Sequence, residues 1–170
     1  KLEPIPGRLE LFTHNSATII VDYAYEPYAL EALYEAIEPL EPKRILHLTG
    51  SAGGGRDIAR RQVIGKLAAE RDDIVVVANE DPYDEDPMQI INDVADAAAA
   101  HGKVDGKTLF RILDRQEAIN ALVEMTQPGD VVLITGKGSE PVMAVANGKK
   151  VSWDDREAVR KAIAYAERTA

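Results

Sequence analysis

The sequence predicts an α/β fold: a Rossmann-like, mainly parallel sheet with helices on both faces and a β-hairpin near the C-terminus. Three observations carry this. Apolar β-branched runs alternate with helix-spaced segments from residue 17 to residue 135, as in successive βαβ units. One run, Arg44 to Thr49, empties into a turn holding Gly50, Gly53, Gly54 and Gly55, and a helix-compatible stretch follows. Asn147-Gly148, between two short β-prone runs, is a strong hairpin signal.

The elements follow in order. Residues 1–15 carry Pro4, Pro6 and Gly7 and read as a lead-in segment or interdomain linker, with a short strand around Leu9, Leu11 and Phe12. The domain proper is expected over residues 16–170. Ala17 to Tyr23 is a buried-type strand, and Pro27 then opens a helix with Leu30, Leu33, Tyr34 and Ile37 on one face. Pro39 and Pro42 stop it. Arg44 to Thr49 is the second strand, Ile58 to Glu70 a helix and Asp73 to Ala78 the third strand. Pro87 opens a helix running to about Ala100. Thr108 to Leu113 is a fourth strand, and Asp114 caps a helix from Arg115 to Thr126. Val131 to Thr135 is the fifth strand. Val142 to Ala146 and Lys149 to Trp153 form the hairpin, and Asp154 or Asp155 caps a last helix to about Arg168.

Bulk properties narrow the class. A chain of 170 residues suits one domain with a single core. No apolar run approaches the length of a membrane span. The start, Lys1-Leu2-Glu3-Pro4, shows no signal peptide and no initiator Met, as an excised domain would, and a cytoplasmic setting is expected. With no cysteine there is neither disulfide nor thiolate metal site. A net charge of −9 argues against nucleic acid or an anionic membrane as partner. Against that background Arg56, Arg60, Arg61 and Lys66 cluster, as a local anion site or as a solvated helix face.

In a parallel sheet the loops after the strands share one edge, where ligands bind. Four such loops combine carboxylates, guanidinium groups and glycines: residues 22–27, 50–57, 79–87 and 136–140. Together they suit a zwitterionic ligand. No phosphate-binding P-loop is present, and Gly136-Lys137-Gly138-Ser139 lacks its spacing. His14, His47 and His101 lack ligand spacing, no metal site is expected, and His47 reads as a core histidine. Ser51 and Ser139 have no evident base, so no catalytic residue is assigned.

These loops resemble the C-terminal domain of the Mur ligases, closest to the UDP-N-acetylmuramoyl-tripeptide synthetases. Pro6-Gly7-Arg8-Leu9-Glu10 is similar to the family's PGRxE. Val21 to Pro27 resembles VDYAHTP. Gly54-Gly55-Arg56-Asp57 with Arg60-Arg61 and Gly65 resembles GDRDxGKRxxMG. Asp84 to Pro87 with Ile90-Ile91 resembles the segment after the family's DNPR. Asp130 to Gly138 is similar to GDxVLIAGKGHE, and Trp153 to Glu157 resembles FDDRE. Six motifs in order span nearly the whole chain.

The resemblance implies an ATP-dependent amide ligase adding an amino acid to a UDP-MurNAc-dipeptide through an acyl-phosphate. This domain would bind the incoming amino acid and close over ATP, while N-terminal and central domains outside the chain hold the phosphates and Mg2+. Arg8, Asp22 and Tyr25 fall at ATP-contacting positions. Arg56, Glu80, Asp81, Tyr83, Gly136 and Glu140 fall at amino-acid positions, Arg56 for the carboxylate with Asp57 bracing it. The departures are informative. Tyr83 replaces the DNPR arginine, Tyr25 and Glu26 replace the His and Thr of VDYAHTP, Ser139 replaces the His of GKGHE, and Gly55 replaces the acid of GDRD. Glu80, Asp81 and Tyr83 argue against diaminopimelate and for a cationic side chain such as that of lysine or ornithine. A divergent binding or regulatory module without ligase activity, or a folylpolyglutamate- or cyanophycin-type ligase domain, are the other readings.

Overall fold

A computed structural model describes residues 5–169. The expectations for the first four residues therefore lie outside the described part. The main sheet has six strands: β1 (Glu10–His14), β2 (Ala17–Val21), β3 (Ile45–Thr49), β4 (Ile74–Ala78), β5 (Leu109–Ile112) and β6 (Val131–Ile134). Their spatial order is β1-β2-β6-β3-β4-β5. All neighbours are parallel except β1 and β2, which form an antiparallel pair aligning His14 with Ala17. A separate antiparallel hairpin, β7 (Val142–Val145) and β8 (Lys149–Ser152), turns at Asn147-Gly148.

β1 lies within the stretch that the sequence reads as a lead-in segment. Asn15 and Ser16 both take positive φ, which folds the chain back so tightly that the preceding residues pair with β2. Alternate residues of β1 are exposed, as befits an edge. By contrast, every residue of β6 is buried, because it lies between β2 and β3 with helices above and below.

One face of the sheet is covered by α1 (Pro27–Ile37), α2 (Ala59–Arg71) and α3 (Pro87–Ala100). Leu30, Leu33, Tyr34 and Ile37 are the inward face of α1, as their spacing requires. The other face is covered by α4 (Arg115–Glu124) and α5 (Asp155–Thr169), through Ile119, Leu122, Val123, Val159 and Ala162. A short 3-10 turn at Glu38–Leu40 carries Pro39 out of α1.

Capping residues fix where the helices begin. Asp86 accepts a hydrogen bond from the Met88 amide at 2.9 Å, and Asp114 one from the Glu117 amide at 2.9 Å. At α5 the two aspartates divide the work. Asp154 accepts from the Arg156 amide at 2.9 Å, while Asp155 turns inward and is fully buried. His47 is a core residue, as expected, and its Nδ1 lies 2.8 Å from Asp72 Oδ2 and its Nε2 2.9 Å from the Thr135 hydroxyl. Burial pushes the Asp72 carboxyl above the ordinary range, against the pull of His47.

Candidate amino-acid cleft

The carboxyl ends of β2, β3, β4 and β6 open onto one cleft, lined by Tyr23, Tyr25, Ala52, Arg56, Arg60, Glu80, Asp81, Tyr83, Gly136 and Glu140. All four loops singled out in the sequence contribute. A roomier groove of about 440 Å3 lies at the opposite end of the strands, beside His14, Val123 and Ala166. It brings Glu124 and Glu167 but no cation of Lys or Arg to its lining, and parallel topology favours the carboxyl edge, so the cleft is the candidate site.

Backbone constraints build its floor and wall. The glycine-rich turn lies directly on Asp81-Pro82-Tyr83: the Gly53 amide donates to the Asp81 carbonyl at 2.8 Å. A side chain at Gly54, where φ is +70°, would start 2.8 Å from the Tyr83 ring. Gly136 has φ +104°, and a Cβ there would sit 2.7 Å from Glu80 Oε2. Only glycine lets β6 pass this close to the Glu80 carboxyl.

Three acids meet here, in different states. Asp81 accepts from Lys137 Nζ at 2.8 Å and from the Ala144 amide at 2.7 Å, which ties the loop to β7. Glu140 accepts from Lys137 Nζ at 2.5 Å and from the Tyr23 hydroxyl at 2.6 Å. Burial pushes Glu140 up, but the bonds from Lys137 and Tyr23 outweigh it and hold its pKa below the ordinary value. The same bond from Tyr23 to Glu140, with burial, holds the phenol protonated well above its usual range. Glu80 differs: it is 5% exposed and accepts no hydrogen bond among the described residues. Burial pushes its pKa up to about 7; Arg115 pulls it down and Asp81 pushes it up.

The cations are arranged as deliberately. Arg56 is exposed, lines the cleft, and makes no ion pair among the described residues. Arg60 lines it too and pairs with Glu26. Arg61 turns away to Glu85 at 2.7 Å and Asp93 at 3.0 Å, where it braces α2 against α3 and its loop. Arg115 is buried behind the floor. Its guanidinium binds Asp155 at 2.8 and 2.9 Å and the carbonyls of Thr135 at 2.7 Å and Asn79 at 3.3 Å. Those carbonyls immediately precede Gly136 and Glu80. Trp153 Nε1 completes the cluster with a 2.8 Å bond to Asp155.

The positions singled out for ATP form a neighbouring group. Asp22 accepts from the Leu9 amide at 2.9 Å and the Ala24 amide at 2.8 Å. The Arg8 guanidinium stacks 4.6 Å from the Tyr23 ring, and Tyr25 meets Tyr23 edge-on at 5.1 Å. The Pro6-Gly7-Arg8 turn packs against Gly138-Ser139, since a Cβ on Gly7 would fall 2.3 Å from the Ser139 amide.

The structure thus gathers Arg56, Glu80, Asp81, Tyr83, Gly136 and Glu140 around one opening, with Tyr25 on its rim and Arg8 and Asp22 beyond Tyr23. One expectation is corrected. Asp57 does not brace Arg56; its carboxylate accepts from the Ala59 amide at 3.0 Å and so starts α2. Lys137, Tyr23 and Arg115 were not singled out for this site, and of the basic cluster Arg56, Arg60, Arg61 and Lys66 only Arg56 and Arg60 line it. Lys137 had a signal, a cation between two glycines at a strand end. Arg115 had none, because the first residue of a helix is ordinarily solvated. Among the described residues no group of three His, Asp or Glu side chains is arranged to hold a metal ion, and no helix is long and apolar enough to cross a membrane.

A family profile described as "Mur ligase, glutamate ligase domain" matches residues 7–138. The UDP-N-acetylmuramyl-tripeptide synthetase of Roseiflexus sp. (strain RS-1) is 38% identical over 167 residues, covering 96% of this chain and 32% of that protein. A solved structure of a UDP-N-acetylmuramoyl-L-alanyl-D-glutamate--2,6-diaminopimelate ligase superposes with a TM-score of 0.82 at 31% identity, over 98% of this chain and 33% of that one. The MurF ligase of Thermotoga maritima in complex with ADP shares the fold, with a TM-score of 0.59 at 19% identity over 99% of this chain and 33% of that one. The chain spans about a third of the length of these proteins. A profile over most of its residues, a relative 38% identical over 96% of the chain and a structural match with a TM-score of 0.82 lead to one assignment: the chain belongs to the Mur ligase family, as a C-terminal domain of that family.

Proposed function

We propose that this domain selects and orients the amino acid that a full-length ATP-dependent ligase joins to a UDP-MurNAc-peptide, and that this amino acid carries a cationic side chain. The observation that carries the reading is Glu80. A carboxyl that is nearly buried, accepts no hydrogen bond among the described residues and reaches only the cleft is poorly solvated and open to a ligand donor. A ligand ammonium supplies the missing donor. Asp81 and Glu140 are less available for this, because Lys137, the Ala144 amide and the Tyr23 hydroxyl already donate to them, although one lysine leaves the pair a net negative charge. The reading from the sequence gave a cationic side chain to Glu80, Asp81 and Tyr83 and named Glu140 as a fixed acid for an ammonium; the reading proposed here centres on Glu80.

Arg56, free at the rim, supports the opposite end of a zwitterion, since a guanidinium grips a carboxylate bidentately. ATP would activate the peptide carboxyl as an acyl-phosphate, releasing ADP. The amine of the held amino acid would then attack the acyl carbon, expelling inorganic phosphate and losing a proton. The residues of this chain bind and orient the amine for that attack. Mg2+ and the phosphates are assigned to domains outside the chain, and Arg8, Asp22 and Tyr25 to the nucleoside end of ATP. The UDP-MurNAc-peptide is assigned to the N-terminal and central domains, and the whole enzyme to the cytoplasm.

The test is a calorimetric titration of the full-length ligase with lysine, ornithine and diaminopimelate. Lysine or ornithine should bind and support turnover. Binding of diaminopimelate alone would refute the assignment of Glu80. Residues 1–170 by themselves should show no ATP turnover with any amino acid.

A further inference from the structure

Arg60 sits in the wall of the cleft and is only 7% exposed. Its Nη1 pairs with Glu26, but its Nε has no partner among the described residues. A buried N–H of a guanidinium without an acceptor is costly. Arg61, its neighbour in sequence, also leaves Nε unpartnered among the described residues, but its Nη atoms are held by two carboxylates and brace the helices. Arg60 has one, and that one is half in solvent: the Glu26 side chain is 48% exposed. Arg60 and Glu80 line the same cleft.

Glu26 is unusual in its own right. It occupies the N-cap position of α1, where an acidic side chain would ordinarily accept from the first free amides of the helix. It makes no such bond and reaches to Arg60 instead. The Tyr25 ring, 5.6 Å from the Arg60 guanidinium, forms the other side of this contact. Tyr25 and Glu26 are both departures from the VDYAHTP pattern, and both fall on Arg60.

We propose that Arg60 is a second anion-binding residue of the cleft, and that Glu26 is an internal carboxylate occupying it until a ligand carboxylate or phosphate takes its place. Exchange is favoured by the surroundings. Glu26 returns to water and to an N-cap position where it can accept from the Ala29 amide, and Arg60 gains a bidentate partner for Nε and Nη. Arg56 and Arg60 then grip one anion from two sides, above Glu80. This builds on the amino-acid reading but stands on separate residues.

The experiment is a double-mutant cycle on the 170-residue chain, whose core is self-contained. Affinities for lysine, inorganic phosphate and ATP are measured by calorimetry, and the Arg60 Nε–H is followed by NMR. Glu26→Gln should tighten binding of the true anion by roughly threefold, and Arg60→Gln should weaken it by about tenfold or more. In the double variant the Glu26 effect should vanish. Arg60→Lys should restore part of the affinity, and thermal melting confirms that each variant folds. A cycle seen with lysine assigns the site to the amino-acid carboxylate; one seen only with phosphate or ATP assigns it to a phosphate and removes the amino-acid reading. If lysine binds, depends on Arg56 and ignores Glu26 and Arg60, this proposal falls and the amino-acid reading stands. Failure of every variant to bind any of the three overturns both.

Discussion

Replacing Glu80 by Gln should stabilise the domain at pH 8 and leave it nearly unchanged at pH 5. Glu80 is raised from the ordinary 4.5 to about 7, chiefly by burial. Between those values the folded state keeps a proton that the unfolded chain has released. Stability contributed by the neutral acid is therefore complete below pH 4.5 and is lost as pH rises through 7. At 1.36 kcal/mol per pH unit the loss is on the order of 3 kcal/mol. Glutamine resembles the neutral acid and does not titrate, so the variant escapes it. Urea unfolding at both pH values, followed by the fluorescence of the single tryptophan, Trp153, measures the difference. Equal effects at the two pH values, or a less stable variant at pH 8, would mean that Glu80 folds as a paired carboxylate, and the argument for a ligand ammonium would fail. The same titration bears on function: lysine affinity should rise from pH 5 to pH 8 in the parent and stay flat in the variant.

Further outcomes follow from the same geometry. Arg115→Met should cost about 3–5 kcal/mol, because it leaves Asp155 buried and unpaired; Arg115→Met with Asp155→Leu should regain most of that in a denaturant melt. Gly136→Ala should lose roughly 1–3 kcal/mol, since φ is +104° and the new methyl would meet the Glu80 carboxylate, and calorimetry should show weakened amino-acid binding even where the domain is folded. Arg56→Ala should change stability by less than about 0.5 kcal/mol, being exposed and unpaired, yet weaken amino-acid binding. If affinity survives, Arg56 is a surface charge and nothing more.

The architecture was readable because each element announces itself locally. Pro27 and Pro87 sit at helix starts, Asp114 is a cap, and β-branched runs mark the strands. The cleft was readable in outline because parallel topology brings strand-end loops together whatever their sequence separation. What escaped was pairing. Asp57 and Arg56 are adjacent in sequence but serve different elements. Asp154 and Asp155 are interchangeable as caps on paper, and only the buried Arg115 decides which turns inward. Lys137 pairs with both Asp81 and Glu140, so carboxylates that look free in the sequence already hold an internal partner. Such partners are chosen by three-dimensional proximity, which no local pattern encodes. The strand at Glu10–His14 straddles both cases: its residues suggested a strand, but its membership of the sheet depends on the two-residue reversal at Asn15-Ser16.

The position of β6 has a consequence for how the domain comes into being. β2 and β3 are made early by the ribosome, yet neither pairs with the other; the strand that joins them, Val131–Ile134, is the last of the sheet to be synthesised. Until it emerges, β1-β2 and β3-β4-β5 are two separate ribbons, each with an apolar edge awaiting the same partner. Closure of the sheet therefore waits on long-range parallel pairing, the slow class of contact, and it coincides with delivery of the Gly136–Glu140 loop. Assembly of the core and completion of the cleft are a single event in the life of the nascent chain.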